Sequence, residues 1–166
     1  MSIVEIEKLT DGQATTVILA KEKWIEGDSL LIYNIDTHIE SHVLKPEDIQ
    51  GDGFIPCFNA PGENWSFVKL GKDGNAIELR EKKRISDNAT IGLYYFYSTD
   101  LYMKAYNEYY KEQTNLEKGE KYIAPLYNYL IKENYPVRIS TIPFENVHVI
   151  GTPEELEEFK NSDYII

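Results

Sequence analysis

One cysteine, Cys57, serves the entire chain. That excludes an intramolecular disulfide and a cysteine-based zinc site, and it makes a reducing compartment the simple reading. Basic residues are scarce: 17 Lys and Arg stand against 28 Asp and Glu, a formal charge of −11. A nucleic-acid groove or a face for an anionic membrane needs the opposite sign, because Lys and Arg must neutralise phosphates there. A small phosphorylated ligand stays open, since a few local cations or one Mg²⁺ ion outweigh the global field. No run of about 20 apolar residues occurs, so no helix spans a bilayer. The opening MSIVEIEKL carries two Glu and no basic region of a signal peptide. Repeats, low-complexity stretches and linkers are absent as well. What remains is 166 residues, 42% hydrophobic, enough for one domain with a real core, expected in the cytoplasm.

Hydrophobic patterning outlines the elements. SIVEIEKL alternates and predicts a short strand. TDGQATTVILAKEKW places Ala14, Val17, Ile18 and Ala20 at helical spacing behind Thr10 or Asp11 as cap. SLLIYNID is a continuous apolar run, the type of strand found in parallel sheets covered on both faces. Strand, helix, strand is the pattern of an α/β unit with a right-handed crossover. GDGFIPCF opens on a turn and becomes a strand. NWSFVKL, NAIELREKK and NATIGLYYFYS predict three more, the first two joined by a hairpin turn at Lys72-Asp73-Gly74. Ser98, Thr99 and Asp100 cap a helix that continues through LYMKAYNEYY, and YIAPLYNYLIKEN predicts another. VRISTI and NVHVIG read as short strands. TPEELEEFK is a helix with Thr152 as cap, Pro153 in the first turn and Glu155 at the capping-box position. The 13 tyrosines show no pattern and read as half-buried packing.

One feature of this outline carries chemistry. The run from Leu30 to Ile35 ends in Asp36. In open α/β sheets, ligands bind outside the carboxyl ends of the strands. A carboxylate there without a basic sequence neighbour suits a hard cation such as Mg²⁺. It equally suits the capping of the next turn. Four segments in order, LTDGQATTVILAK, LLIYNIDTHIE, LREKKRISDNATIGLYYF and VHVIGTPEELEEF, resemble the nucleotidyltransferases that activate sugar phosphates and related phosphorylated alcohols, in particular the branch of bacterial capsule and surface-polysaccharide clusters. The resemblance runs over nearly the whole chain. It implies an α/β fold of the nucleotide-diphospho-sugar transferase type, a Rossmann-like mixed sheet flanked by helices, here as one domain over residues 1–166.

The resemblance also implies roles. Asp36 would bind the Mg²⁺ that bridges the nucleotide's α-phosphate and the acceptor phosphate. Gly12 and Gln13 would lay backbone against the nucleobase, Gly12 because a base approaches where no Cβ intrudes. Glu81 would accept from acceptor hydroxyls and Lys82 would reach its phosphate. Trp65 and Ser66 align with a strand start that touches the acceptor, although a packing role suits Trp65 equally. Lys83 and Arg84 read as a solvated strand end, and GTPEEL as an ordinary helix cap. The partners implied are a nucleoside triphosphate and a phosphorylated acceptor. The reaction implied is attack of the acceptor phosphate on the α-phosphorus with release of pyrophosphate, which needs positioning and charge neutralisation more than acid–base groups.

Two departures from the family pattern stand out. Its G-x-G-x-R loop, which wraps the triphosphate, and the first β-α-β portion of the sheet have no counterpart here. The expectation is an N-terminally incomplete domain: either part of a longer protein or a shortened relative, in which case unpaired strand edges and an uncovered apolar face would drive association with a second copy or a completing chain. Val149 falls where several branches place a second metal-binding Asp. His148 beside it should face the opposite way along a strand. Two further functions fit the residues. Asp36-Thr37-His38 has the Asp-x-His spacing by which glycosyltransferases of the related fold hold Mn²⁺, and a domain without its triphosphate loop could persist as a nucleotide-sugar-binding module.

Overall fold

The computed structural model describes residues 2–162. Along the chain these form α1 (Gln13–Ile18), β1 (Leu30–Tyr33), β2 (Thr37–Ile39), β3 (Gly53–Phe58), β4 (Ser66–Leu70), β5 (Ala76–Glu81), β6 (Ala89–Thr90), β7 (Leu93–Phe96), α2 (Thr99–Tyr109), α3 (Tyr127–Lys132), β8 (Val137–Thr141), β9 (Val147–Val149) and α4 (Pro153–Lys160). Seven strands make one mixed sheet in the order β1-β7-β3-β6-β4-β5, with β8 on the other edge of β3; β2 and β9 pair separately. Helices flank the sheet, the architecture expected of the nucleotide-diphospho-sugar transferase type.

The covered central strand is β3, buried at every position. It pairs in parallel with β8 and antiparallel with β6 and β7. Cys57, its penultimate residue, is wholly buried. The main core packs β3, β4, β5 and β7 against α1, α2 and α3, with Tyr102 and Tyr127 fully enclosed. Each spends its phenol on a backbone carbonyl, Tyr102 on Ala14 at 2.7 Å and Tyr127 on Tyr95 at 2.8 Å, so burial leaves no hydroxyl stranded. These two are core residues, more deeply placed than the half-buried packing expected of tyrosine here. A smaller core around Phe58, Phe67, Ile91 and Ile142 lies at the other end of the sheet.

Three expectations need correction. Residues 2–8 form no strand, and Ile3, Val4 and Ile6 are exposed; alternation makes a strand only where a neighbour supplies the ladder, and no described strand lies beside them. The N-terminal strand–helix–strand crossover therefore does not form within the described residues. The apolar run at β1 is not a covered parallel strand. It is antiparallel to β7 at the edge of the sheet, and Leu31 is 54% exposed. Finally, α1 is capped by neither Thr10 nor Asp11: Gly12 is the N-cap residue, without a side-chain cap. Asp11 instead takes a hydrogen bond from Thr15 and pairs with Lys121 at 2.7 Å. Elsewhere the caps match: the Ser98 hydroxyl accepts from the Leu101 amide, and Thr152 and Glu155 form a reciprocal capping box.

Candidate active site

The stretch from Ala89 to Phe96 is one strand broken in the middle. Its β6 half pairs with β4 and its β7 half with β1, both on the edge facing away from β3. Gly92 stands in the break at φ 82°, and a Cβ there would lie 2.9 Å from the Asn34 side-chain nitrogen. Glycine thus lets the chain turn and lets Asn34 come close, and the Asn34 backbone N–H donates to the Gly92 carbonyl at 2.9 Å. As β1 leaves the sheet on one side of the break and β4 enters it on the other, the sheet forks. A cavity of about 250 Å³ occupies the fork.

Six of the seven residues singled out from sequence line this cavity: Gln13, Asp36, Trp65, Ser66, Glu81 and Lys82. Asn34, Asn64, Thr90, Tyr94 and Tyr122 join them. Gly12 lies outside it, in an adjoining cavity of about 470 Å³ that shares Gln13 and Asn34. The space left by its missing Cβ is taken by the chain itself, since that atom would fall 2.4 Å from the Lys121 carbonyl oxygen. The physical reason for glycine here is therefore backbone packing against Lys121.

The β4–β5 side of the cavity is densely bonded. Ser66 and Glu81 are partners across the two strands, and the buried Ser66 hydroxyl donates to the Glu81 carboxylate. Burial is the largest influence on Glu81 and raises its pKa, the Ser66 bond opposing it. Burial likewise pushes the Tyr94 phenol up to about 12, beside Thr90 at 3.1 Å. Lys82 adopts φ 49°, rare for a residue with a side chain. Its amide is held by the Trp65 carbonyl at 2.9 Å, and its ammonium donates to the Tyr122 phenol at 2.9 Å, the bond that chiefly raises its pKa. Trp65 serves packing and cavity together: its ring meets Phe58 edge-on at 5.1 Å, and its indole N–H donates to the Pro61 carbonyl.

The β1 side is open. Asp36 is exposed in the cavity, and its side chain pairs with no cation among the described residues. Its backbone carbonyl anchors Ile150, bringing Val149 into the cavity wall. Its carboxylate accepts a long bond from the Thr37 hydroxyl at 3.4 Å, and such a hard-oxygen donor fits a divalent cation. No group of three or more His, Cys, Asp or Glu among the described residues is arranged to hold a metal, so a cation here would depend on Asp36 and on ligand oxygens. His38 does not supply a second ligand in this cavity. It stacks on its cross-strand partner His148 at 5.9 Å and meets Phe159 at 5.0 Å, and His148 lies 3.7 Å from Glu40.

Lys83 is exposed, but Arg84 is not the solvated charge expected of it. It donates to the Ala60 and Gly62 carbonyls, pairs with Asp87 at 2.7 Å and covers the Phe67 ring. The lining residues that sequence reasoning passed over, Asn34, Thr90, Tyr94 and Tyr122, arrive through strand pairing and a distant turn. Only the glycine beside the aromatic run at Gly92 hinted at a break in the strand.

No protein-family model matches the chain, and neither does any curated protein. Solved structures do match. The chain is 34% identical to a nucleoside-diphosphate-sugar pyrophosphorylase from Vibrio cholerae RC9, with a TM-score of 0.85 over 95% of this chain and 68% of that one. A Bacillus anthracis protein assigned as a glucose-1-phosphate thymidylyltransferase, solved with sucrose, matches at 15% identity and TM-score 0.67, over 89% of this chain and 58% of that one. The inositol-1-phosphate CTP transferase of T. maritima matches at 11% identity and TM-score 0.62, over 87% and 57% respectively. The last two likenesses are of fold alone.

Proposed function

Because the chain belongs to the nucleoside-diphosphate-sugar pyrophosphorylase family, we propose that the forked cavity is where a nucleotidyl group passes from a nucleoside triphosphate to a sugar phosphate or similar phosphorylated acceptor. The convergence of Asp36, Glu81 and Lys82 on one cavity carries this reading. An acceptor phosphate oxygen attacks the α-phosphorus and forms the new P–O bond. The bond to the bridging oxygen breaks, and pyrophosphate leaves with the electron pair. Lys82 draws the acceptor phosphate in, and Glu81, oriented by Ser66, accepts from an acceptor hydroxyl. Gln13, at the join of the two cavities, lies toward the nucleobase, with Gly12 fixing its backbone on Lys121. Asp36 would hold Mg²⁺, whose charge neutralises the phosphates that meet there. The biological setting we propose is synthesis of capsular or surface polysaccharide in the cytoplasm. We further propose that the outer edge of β1 pairs with the same edge of a second copy, because its ladder groups and Leu31 and Tyr33 are uncovered.

A glycosyltransferase holding Mn²⁺ through an Asp-x-His pair would need His38 beside Asp36, whereas His38 packs on His148 and Phe159. Calorimetric titration with a panel of nucleoside triphosphates and Mg²⁺ tests the proposal. Magnesium-dependent binding of one triphosphate, weakened at least about tenfold (about 1.4 kcal/mol) by Asp36→Ala, is the expected result. Binding of a nucleoside-diphosphate sugar alone would point to a binding module without turnover and would overturn the transferase reading.

A further inference from the structure

Lys82 and Tyr122 stand 40 positions apart in sequence, and neither a strand ladder nor a helix turn relates them. The fold brings them together through a short hairpin. Glu117 and Glu120 exchange both backbone hydrogen bonds, at 3.1 and 3.0 Å, around Lys118 and Gly119, which both adopt positive φ. Two residues further on, the backbone of Tyr122 is held from two sides. The Lys121 amide donates to the Asp11 carbonyl at 2.8 Å, and the Tyr122 carbonyl accepts from the Tyr110 phenol at 2.5 Å. Ile123, next along, is buried. The ring of Tyr122 thus projects from a fixed base.

Its hydroxyl is fixed as well. It donates to the Glu120 carboxylate at 2.6 Å, which leaves an oxygen lone pair to receive the Lys82 ammonium. That bond leaves the ammonium 5.0 Å from the centre of the ring, on its hydroxyl side. A free lysine on four rotatable bonds loses about 2 kcal/mol of rotamer freedom when a ligand orders it. A lysine already tethered meets that cost before the ligand arrives. The tether uses one of its three N–H donors, and two remain for phosphate oxygens. The charge state agrees with the geometry, since the bond to Tyr122 raises the lysine's pKa and keeps it cationic.

We propose that Tyr122, oriented by Glu120, is a positioning residue that holds the Lys82 ammonium ready in the cavity and thereby sets the affinity for a phosphate group. This rests on the reading of Lys82 as the phosphate-binding residue, and the experiment separates the two. Inorganic phosphate is titrated, with Mg²⁺ present, into the full chain, into Tyr122→Phe, into Lys82→Ala and into the double variant. Phenylalanine keeps the ring and removes only the hydroxyl. We expect Tyr122→Phe to weaken phosphate binding about three- to tenfold, and to have no further effect once Lys82 is Ala, because its influence passes through the ammonium. The Lys82 ammonium, followed by NMR after isotopic methylation, should titrate at lower pH in Tyr122→Phe, a change that a merely structural role would not produce. An equal loss in both backgrounds overturns the proposal, as does full affinity in Tyr122→Phe while Lys82→Ala weakens binding; the functional reading survives either result. No phosphate binding by the unaltered chain, or none lost in Lys82→Ala, overturns the functional reading and the inference with it.

Discussion

The two ends of the main sheet are finished in different ways. At β5, the Asn128 side chain reaches across from α3 and takes both the amide and the carbonyl of Leu79, each at 2.9 Å. A buried strand edge is thereby closed by one amide acting as a missing strand. At β1, four residues pair with β7 on one side only, Leu31 and Tyr33 are exposed, and Ile35 beyond them is 94% exposed. The cavity lies between these ends and inherits the contrast. Ser66, Glu81 and Lys82 on the closed side arrive with partners in place, whereas Asp36 on the open side pairs with no cationic side chain among the described residues. Sequence character does not predict the difference, since the closed strand, β5, carries three charged residues in six and the open one, β1, carries none. Position in the sheet does.

The contrast can be broken from the closed end first. Asn128→Ala leaves the Leu79 amide and carbonyl buried without partners and should lower the unfolding free energy by about 2–3 kcal/mol; a urea transition shifted by less than a quarter of that would show that the edge is not closed by this amide. A smaller effect is expected at Glu81. Burial raises its folded pKa, so the fold favours the neutral form more than the unfolded chain does. The stability it contributes is complete below the ordinary value of 4.5 and is lost as pH rises through the folded value. Glutamine cannot ionise, so the stability of Glu81→Gln relative to the unaltered chain should rise as pH goes from 4 to 8. Thermal unfolding at the two pH values decides this, and an advantage independent of pH would count against it. The smallest effect belongs to the open end: Leu31→Lys should change stability by no more than about 0.5 kcal/mol. Sedimentation velocity over a range of concentrations should nonetheless show weaker self-association than in the unaltered chain. Identical sedimentation would remove β1 as the seam between copies.

Much of this architecture was readable in the residues, and the failures have a common cause. Caps declared themselves locally, as at Ser98 and Thr152, because the partners lie within one turn of helix. The β4–β5 hairpin did the same through Lys72-Asp73-Gly74. The resemblance named Asp36, Glu81 and Lys82, and the fold gathers them around one cavity. Residues 2–8 and β1 misled because alternation and apolar runs describe side-chain faces and carry no information about which strand supplies the ladder. Tyr122 and Asn128 stayed hidden for a related reason. Their work is done on Lys82 and Leu79, 40 and 49 positions away, and nothing near them in sequence marks those partners. Arg84 looked like surface charge until the turn at residues 60–62 folded over it.

The lone cysteine has a practical consequence. Cys57 is sealed in the main core, and burial pushes its thiol far above the ordinary range. A sulfhydryl reagent meets it only when that core opens. The rate of labelling under native conditions is therefore a stopwatch for that opening, blind to whatever happens at the uncovered rim. The chain carries this reporter in its natural sequence, with no second thiol to confuse the reading.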